Sequence, residues 1–165
     1  MCGGKVVVAL RDDDAVNRYV NSAVVTFSLG GALVVGDSVR ESLARRALER
    51  LGKPVVGIGG IIPGARTIEM DDFAAGKLAT EHLISLGHKQ IVHVAGPTGW
   101  FDSAPRVAGY EAAMESAQLQ PKVIPGDWTV PTGYEIGRNL DIEADKVTAI
   151  FAANDHLALG LMRAL

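Results

Sequence analysis

Apolar and polar positions follow two rhythms along this chain. Short continuous apolar runs occupy residues 5–10 (KVVVAL), 31–35 (GALVV), 54–58 (PVVGI), 91–95 (IVHVA), 122–124 (KVI) and 147–153 (VTAIFAA). Unbroken runs rich in valine and isoleucine are the pattern of strands covered on both faces, as in a parallel sheet. Between them, apolar residues return every three or four positions, the signature of amphipathic helices. Helices are expected over residues 15–25, 38–51, 71–86, from 102 or 103 to about 117, 131–140, and from 154 onward. The clearest unit lies at residues 70–96. Asp71 and Asp72 stand where a helix starts, and a carboxylate there caps free N–H groups and suits the helix dipole. Ala75, Leu78, Ala79, Leu83 and Leu86 then form one apolar stripe, Gly87 stops the helix, and Gly96-Pro97 turns the chain out of the next strand. Helix, tight turn, buried strand and glycine turn make the repeating unit of an open parallel α/β sheet.

Local chemistry sharpens several boundaries. Ser38 with Glu41 forms a capping box, and Gly52 ends that helix. Gly57, Gly59, Gly60 and Gly64 imitate a dinucleotide fingerprint. They lead into Ile61-Ile62-Pro63 rather than into a helix whose N-terminus would hold a pyrophosphate, so a loop is expected, then a short extended piece at 67–70. Asp102 or Ser103 is the expected cap of the next helix, with Pro105 in its first turn and Val107, Tyr110, Met114 and Ala117 on its apolar face. Asp155 is expected to cap the last helix, and His88 to cap the end of the helix before Gly87. The final helical pattern reaches residue 165 without a stop signal, as in a segment of a longer chain.

Composition narrows the function. The 165 residues are 48% hydrophobic and 21% charged, with a net charge of −3. No run of lysine and arginine offers a footprint for nucleic acid. One cysteine, Cys2, gives neither a disulfide framework nor a thiolate metal site. Asp12, Asp13 and Asp14 read as a solvated helix start rather than a metal site. His82, His88, His93 and His156 have no zinc spacing, Ser38 and Ser103 sit in no nucleophile elbow, and no carboxylate pair stands in an apolar setting. An enzyme is therefore not expected, nor a cofactor or metal. No leader pattern and no apolar run near ~18 residues appears, so a soluble cytoplasmic protein without membrane association is expected.

In open α/β sheets, ligands bind beyond the carboxyl ends of the strands. Those positions present Trp100, Phe101 and Asp102; Arg106, one turn into its helix; Asp127 and Trp128; and Asn154 with Asp155. A guanidinium, indoles, an amide and carboxylates suit a sugar, whose hydroxyls take bidentate hydrogen bonds and whose C–H faces stack on aromatic rings. Each residue also has a plainer reading: Arg106 as a surface residue, Trp128 as core, Asn154 and Asp155 as helix-start groups, Trp100 and Asp102 as loop.

The string from Asp71 to Gly96, D-D-x-x-A-G-x-x-A-x-x-H-L-I-x-L-G-H-x-x-I-x-x-x-A-G, resembles the lactose/galactose repressor (LacI/GalR) family, as do A-G-P…R-V-A-G-Y around Arg106, G-D-W-T-x-x-x-G-Y around Trp128, and A-A-N-D-x-x-A-L-G around Asn154. The match is good over residues 54–165 and looser over 5–35, where Gly30 replaces a frequent aspartate. The resemblance implies an α/β, two-lobed, type I periplasmic-binding-protein-like fold, with parallel sheets flanked by helices, present here in part. Residues 1–70 would be part of the N-terminal lobe and 71–165 most of the C-terminal lobe, with crossovers near 67–71. It assigns an effector contact to Arg106, ring stacking to Trp128 and an amide contact to Asn154 with Asp155 beside it, while Trp100 and Asp102 fall in a loop of variable type. It implies the ligand-sensing domain of a bacterial transcription regulator: a homodimer that binds a sugar or sugar derivative between its lobes and operator DNA through a helix-turn-helix head absent from this chain. A sugar-binding protein feeding a transporter is the alternative with the same fold.

Overall fold

The computed structural model describes residues 66–100 and 102–165, and the strands Val7–Ala9, Ala32–Val35 and Val55–Ile58. The helices expected at 15–25 and 38–51, the loop at 59–64, Cys2, the aspartates at 12–14 and Phe101 lie outside the described residues. The chain divides into two compact units, Met1–Met70 and Asp71–Leu165.

In the first unit β1 (Val7–Ala9), β2 (Ala32–Val35), β3 (Val55–Ile58) and β4 (Arg66–Ile68) form a sheet in that order. All three pairings are parallel, with Val8 opposite Val34, Leu33 opposite Val56 and Gly57 opposite Thr67. The first three are continuous apolar runs, as a two-sided parallel sheet demands. The extended piece expected at 67–70 is β4, begun one residue earlier.

The second unit alternates helix and strand: α1 (Asp72–Ser85), β5 (Ile91–Ala95), α2 (Ser103–Ser116), β6 (Lys122–Pro125), α3 (Val130–Asn139), β7 (Ala149–Ala152) and α4 (Asp155–Ala164). Its sheet is parallel with order β6-β5-β7. All five residues of the central strand β5 are buried. Successive side chains point to opposite faces. Val92 and Val94 pack with Leu157 and Leu161 of α4 and Ile136 of α3. Ile91 packs with Tyr110 and Met114 of α2 and Leu83 and Ile84 of α1. Helices α1 and α2 therefore cover one face, and α3 and α4 the other.

Within each pair the helices meet backbone to backbone. A Cβ on Gly76 would lie 2.2 Å from the Arg106 carbonyl oxygen, and one on Gly109 would lie 2.1 Å from that of Phe73. On the other face, a Cβ on Gly133 would lie 2.4 Å from the Leu157 oxygen, and one on Gly160 would lie 2.2 Å from that of Val130. This corrects the apolar stripe read for α1. Leu78 and Leu86 are 69% and 63% exposed, whereas Gly76 and Thr80 are the buried positions. The contact is made where side chains are smallest, and hydrophobic periodicity does not count a glycine. The buried Thr80 hydroxyl is satisfied within its own helix, donating to the Gly76 oxygen at 2.8 Å.

Helix ends follow from local chemistry. Asp71 caps α1, its carboxylate accepting from the Ala74 N–H at 2.9 Å. At the other end Gly87 has φ +93°, the Gly87 N–H donates to Ile84 and the His88 N–H to Leu83. This is a Schellman ending. His88 thus serves the helix end with its main-chain N–H. Helix α2 ends with the same two bonds, from Gln118 to Glu115 and from Leu119 to Met114, but Gln118 takes the left-handed position, φ 58°. A side chain there costs about 1–2 kcal/mol, partly offset by the extra unfolded-state freedom of glycine. Gln118→Gly should raise stability by about 0.5–1 kcal/mol, seen as a higher urea midpoint at unchanged m-value.

His93 sits at the centre of the α1–α2 face. It is fully buried, stacked on Phe151 at 4.4 Å between ring centroids and tilted against Tyr110 at 5.2 Å. Its Nδ1 lies 2.9 Å from the Phe151 carbonyl oxygen, which can only accept, so Nδ1 carries the proton of a neutral ring. Burial pushes its pKa down to about 4, against that hydrogen bond and with a further lowering from Arg106. Tyr110 is the neighbouring tie: its hydroxyl donates to the Ile91 oxygen at 2.7 Å and accepts from the Lys122 N–H at 2.8 Å.

Candidate functional site at the carboxyl edge of the sheet

The N-terminal ends of α1, α2 and α4 converge where β5 and β7 end, and Arg106 joins them. It is the fourth residue of α2. Its Nη1 donates to the Ala153 oxygen at 2.6 Å, one residue past β7, and its Nη2 donates to Asp72 Oδ1 at 2.5 Å, at the first residue of α1. Asp102 Oδ2 lies 3.9 Å from the same Nη2. The Arg106 and Asp72 side chains are 15% and 11% exposed. The close α1–α2 crossing at Gly76 abuts the Arg106 backbone itself, which holds the two charged residues in reach of each other.

Trp128 supplies the aromatic wall. It stands between β6 and α3 in a left-handed backbone, φ 69°. Its six-membered ring lies on Gly96, where a Cβ would come within 2.0 Å of the indole Cζ2 and Cη2. Trp100 meets it edge-on, with centroids 6.0 Å apart and an interplanar angle of 69°. The Arg106 guanidinium carbon is 5.8 Å from the Trp128 ring centroid. The indole Nε1 is buried and has no hydrogen-bond partner among the described residues.

Asn154 ties this wall to α4. Its Oδ1 accepts from the Leu157 N–H at 2.8 Å, and its Nδ2 donates to the Trp128 carbonyl oxygen at 3.1 Å. The cap of α4 is therefore Asn154 and not Asp155. The extended backbone at 154 (φ −149°, ψ 171°) aims its side chain at the helix start, whereas Asp155 is already the first helical residue. At α2, Asp102 takes the cap position, but its side chain makes no capping bond and Ser103 begins the helix. Helix α3 is capped by Thr129, whose Oγ1 accepts from the Thr132 N–H at 3.3 Å. Asp127 Oδ1 receives the Thr129 N–H and hydroxyl at 3.0 and 2.7 Å. Hydrogen bonds from Thr129 and Thr132 hold the Asp127 carboxyl below its usual value.

Of the residues singled out from sequence, Arg106, Trp128, Trp100, Asp102 and Asn154 are brought together, and Asp155 is exposed on the first turn of α4 beside them. Two further residues of the cluster carry only helix and turn signals in the sequence: Asp72, the partner of Arg106, and Gly96, the seat of Trp128. The sequence hints at a second role for one of the paired aspartates, since a single carboxylate suffices to cap a helix, but not at which residue it pairs with. Among the described residues no group of three His, Cys, Asp or Glu side chains is placed to hold a metal, and no helix is long and apolar enough to cross a membrane.

In open parallel α/β sheets small molecules are held beyond the carboxyl ends of the strands, and this edge gathers a guanidinium, two indoles and an amide. Residues 12–165 match the family of periplasmic binding proteins and the sugar-binding domain of the LacI family, and the chain belongs to that family. It is 34% identical over 165 residues to the HTH-type transcriptional regulator CelR of Thermobifida fusca, covering 98% of this chain and 42% of CelR. It is 38% identical over 90 residues to the lactose operon repressor of Escherichia coli K12, covering 54% of this chain and 25% of the repressor. A solved LacI family regulator from Enterococcus faecium with bound ribose superposes with a TM-score of 0.79 at 26% identity, over 92% of this chain and 56% of that one. The fold is thus periplasmic-binding-protein-like, and the chain spans less than half the length of these curated relatives.

Proposed function

We propose that the chain senses a small effector, a sugar or sugar derivative, for a bacterial transcription regulator of the LacI type. Residues 71–165 then form most of the C-terminal lobe of the effector-binding domain, and residues 1–70 part of the N-terminal lobe. The observation that carries this reading is Arg106, held at the sheet edge beside Trp128, Trp100 and Asn154. Donors and aromatic faces placed so close together match the hydroxyls and C–H faces of a sugar. The relatives are transcriptional regulators, which favours a cytoplasmic sensor over an enzyme or a transport protein. Operator DNA would be gripped through a helix-turn-helix domain outside this chain. Self-association as a homodimer is supported by Leu159 and Met162 of α4, 56% and 77% exposed and three residues apart on one helix face.

The test is calorimetric titration with a panel of pentoses, hexoses and disaccharides, followed by Arg106→Ala against whichever sugar binds. Losing charged hydrogen bonds should weaken binding by about 1.5–3 kcal/mol. Thermal melting confirms that the variant is folded. An unchanged dissociation constant would show that Arg106 lies outside the pocket.

A further inference from the structure

We infer that the site selects an uncharged polyhydroxylated effector and turns away anionic ones such as sugar phosphates, with Asp72 as the residue that sets this selection. The inference rests on the reading that this edge binds an effector.

A guanidinium ordinarily invites phosphate or carboxylate. Here its charge is already answered. Arg106 Nη2 is bonded to Asp72, Asp102 stands 3.9 Å away, and Nη1 is given to the Ala153 oxygen. The Asp72 carboxylate alone neutralises the guanidinium. With Asp72 and Arg106 only 11% and 15% exposed, water and salt screen this pair weakly. An anion entering the site finds no net positive charge in the pair, and to reach Arg106 it must displace Asp72 and leave a largely buried carboxylate unpaired.

The other usual anion holders at such an edge are the N–H groups of helix N-termini. At three of these helix starts one N–H is taken by a cap, Ala74 N–H by Asp71, Thr132 N–H by Thr129 and Leu157 N–H by Asn154, while α2 has no capping bond and starts at the carboxylate of Asp102. Asp71, Asp127 and Asp155 add further negative charge at the same helix starts. Among the described residues the buried donor that lacks a partner is the Trp128 indole N–H, a neutral group suited to a hydroxyl or ring oxygen. A cationic ligand is disfavoured at the ring itself, because Arg106 already stands 5.8 Å from its centroid.

The experiment titrates the chain with ribose, glucose, ribose 5-phosphate, glucose 6-phosphate, glucosamine and inorganic phosphate, by calorimetry and thermal shift. A neutral sugar is expected to bind, its phosphate ester to bind at least about tenfold more weakly, and phosphate alone to leave the melting temperature unmoved. In Asp72→Asn the preference for the neutral sugar over its ester should shrink severalfold. That ratio would not respond to a purely structural role. A phosphate ester or glucosamine that binds more tightly than its neutral parent overturns the inference while leaving effector binding intact. Failure of the whole panel overturns both. Should Asp72→Asn not fold, the wild-type ratio alone still decides the charge class. An unchanged ratio in a folded Asp72→Asn removes Asp72 from the assignment.

Discussion

Gly160→Ala should destabilise the protein by about 2–3 kcal/mol, although an exposed helical glycine replaced by alanine ordinarily gains roughly 0.5–1 kcal/mol. The added Cβ would lie 2.2 Å from the Val130 oxygen and 2.5 Å from the Tyr134 nitrogen. Both are backbone atoms of α3, which cannot rotate aside as a side chain can. The helices must separate, and Leu157 and Leu161 then lose contact with Val92 and Val94 beneath them. Gly76→Ala and Gly109→Ala should behave alike on the opposite face. Gly87→Ala is the control: nothing lies within 4 Å of its Cβ position, so it meets only the backbone cost of φ +93°, about 1–2 kcal/mol. Urea unfolding of the four variants checks the series. A Gly160→Ala variant as stable as the parent would show that α3 and α4 pack further apart.

Acid should weaken the fold through His93 by up to about 3 kcal/mol. The native ring holds its pKa down to about 4, against 6.5 for the ordinary side chain. Between these values the unfolded chain binds a proton that the native state refuses. Stability is therefore fully present above pH 6.5, falls as the pH drops through this window, and levels off for this group below about 4. The structural cause is visible: the ring is fully buried between Phe151 and Tyr110, and its Nε2 is buried with no partner among the described residues. His93→Leu should flatten the decline. Near pH 7.5 it should cost about 1 kcal/mol or less, since one hydrogen bond is lost together with a buried unpaired nitrogen. Unfolding free energies at several pH values for both proteins isolate the effect from the carboxylates, which titrate in each. Parallel curves would place the acid loss elsewhere.

Much of the architecture was legible because it depends on short-range rules. The continuous apolar runs are strands of parallel sheets, and Asp71 and Gly87 act through bonds between residues three positions apart. Strand-end residues were legible for a topological reason, since a parallel sheet leads every strand's carboxyl end to one edge. What escaped the sequence depends on facts it does not encode locally. Asn154 and Asp155 are side by side and either residue type can cap a helix; the extended backbone at Asn154 decides between them. The buried face of α1 turns on Gly76 and Thr80, which score as weakly apolar or polar, while Leu78 is left outside. The Arg106–Asp72 pair spans 34 residues, and no periodicity links the two.

The order of strands in the second sheet also governs when it can be completed. β5 lies between β6 and β7, and the carbonyl that receives His93 belongs to Phe151, 58 residues further along. The β5–β6 half closes over a shorter span, tied by Tyr110 to Ile91 and Lys122. On a ribosome, α1, β5, α2 and β6 emerge as a half-built sheet. Its open edge and its valine face, Val92 and Val94, must wait for β7 and for Leu157 and Leu161. Long-range closure of this kind slows folding and prolongs the exposure of apolar surface on the half-built sheet.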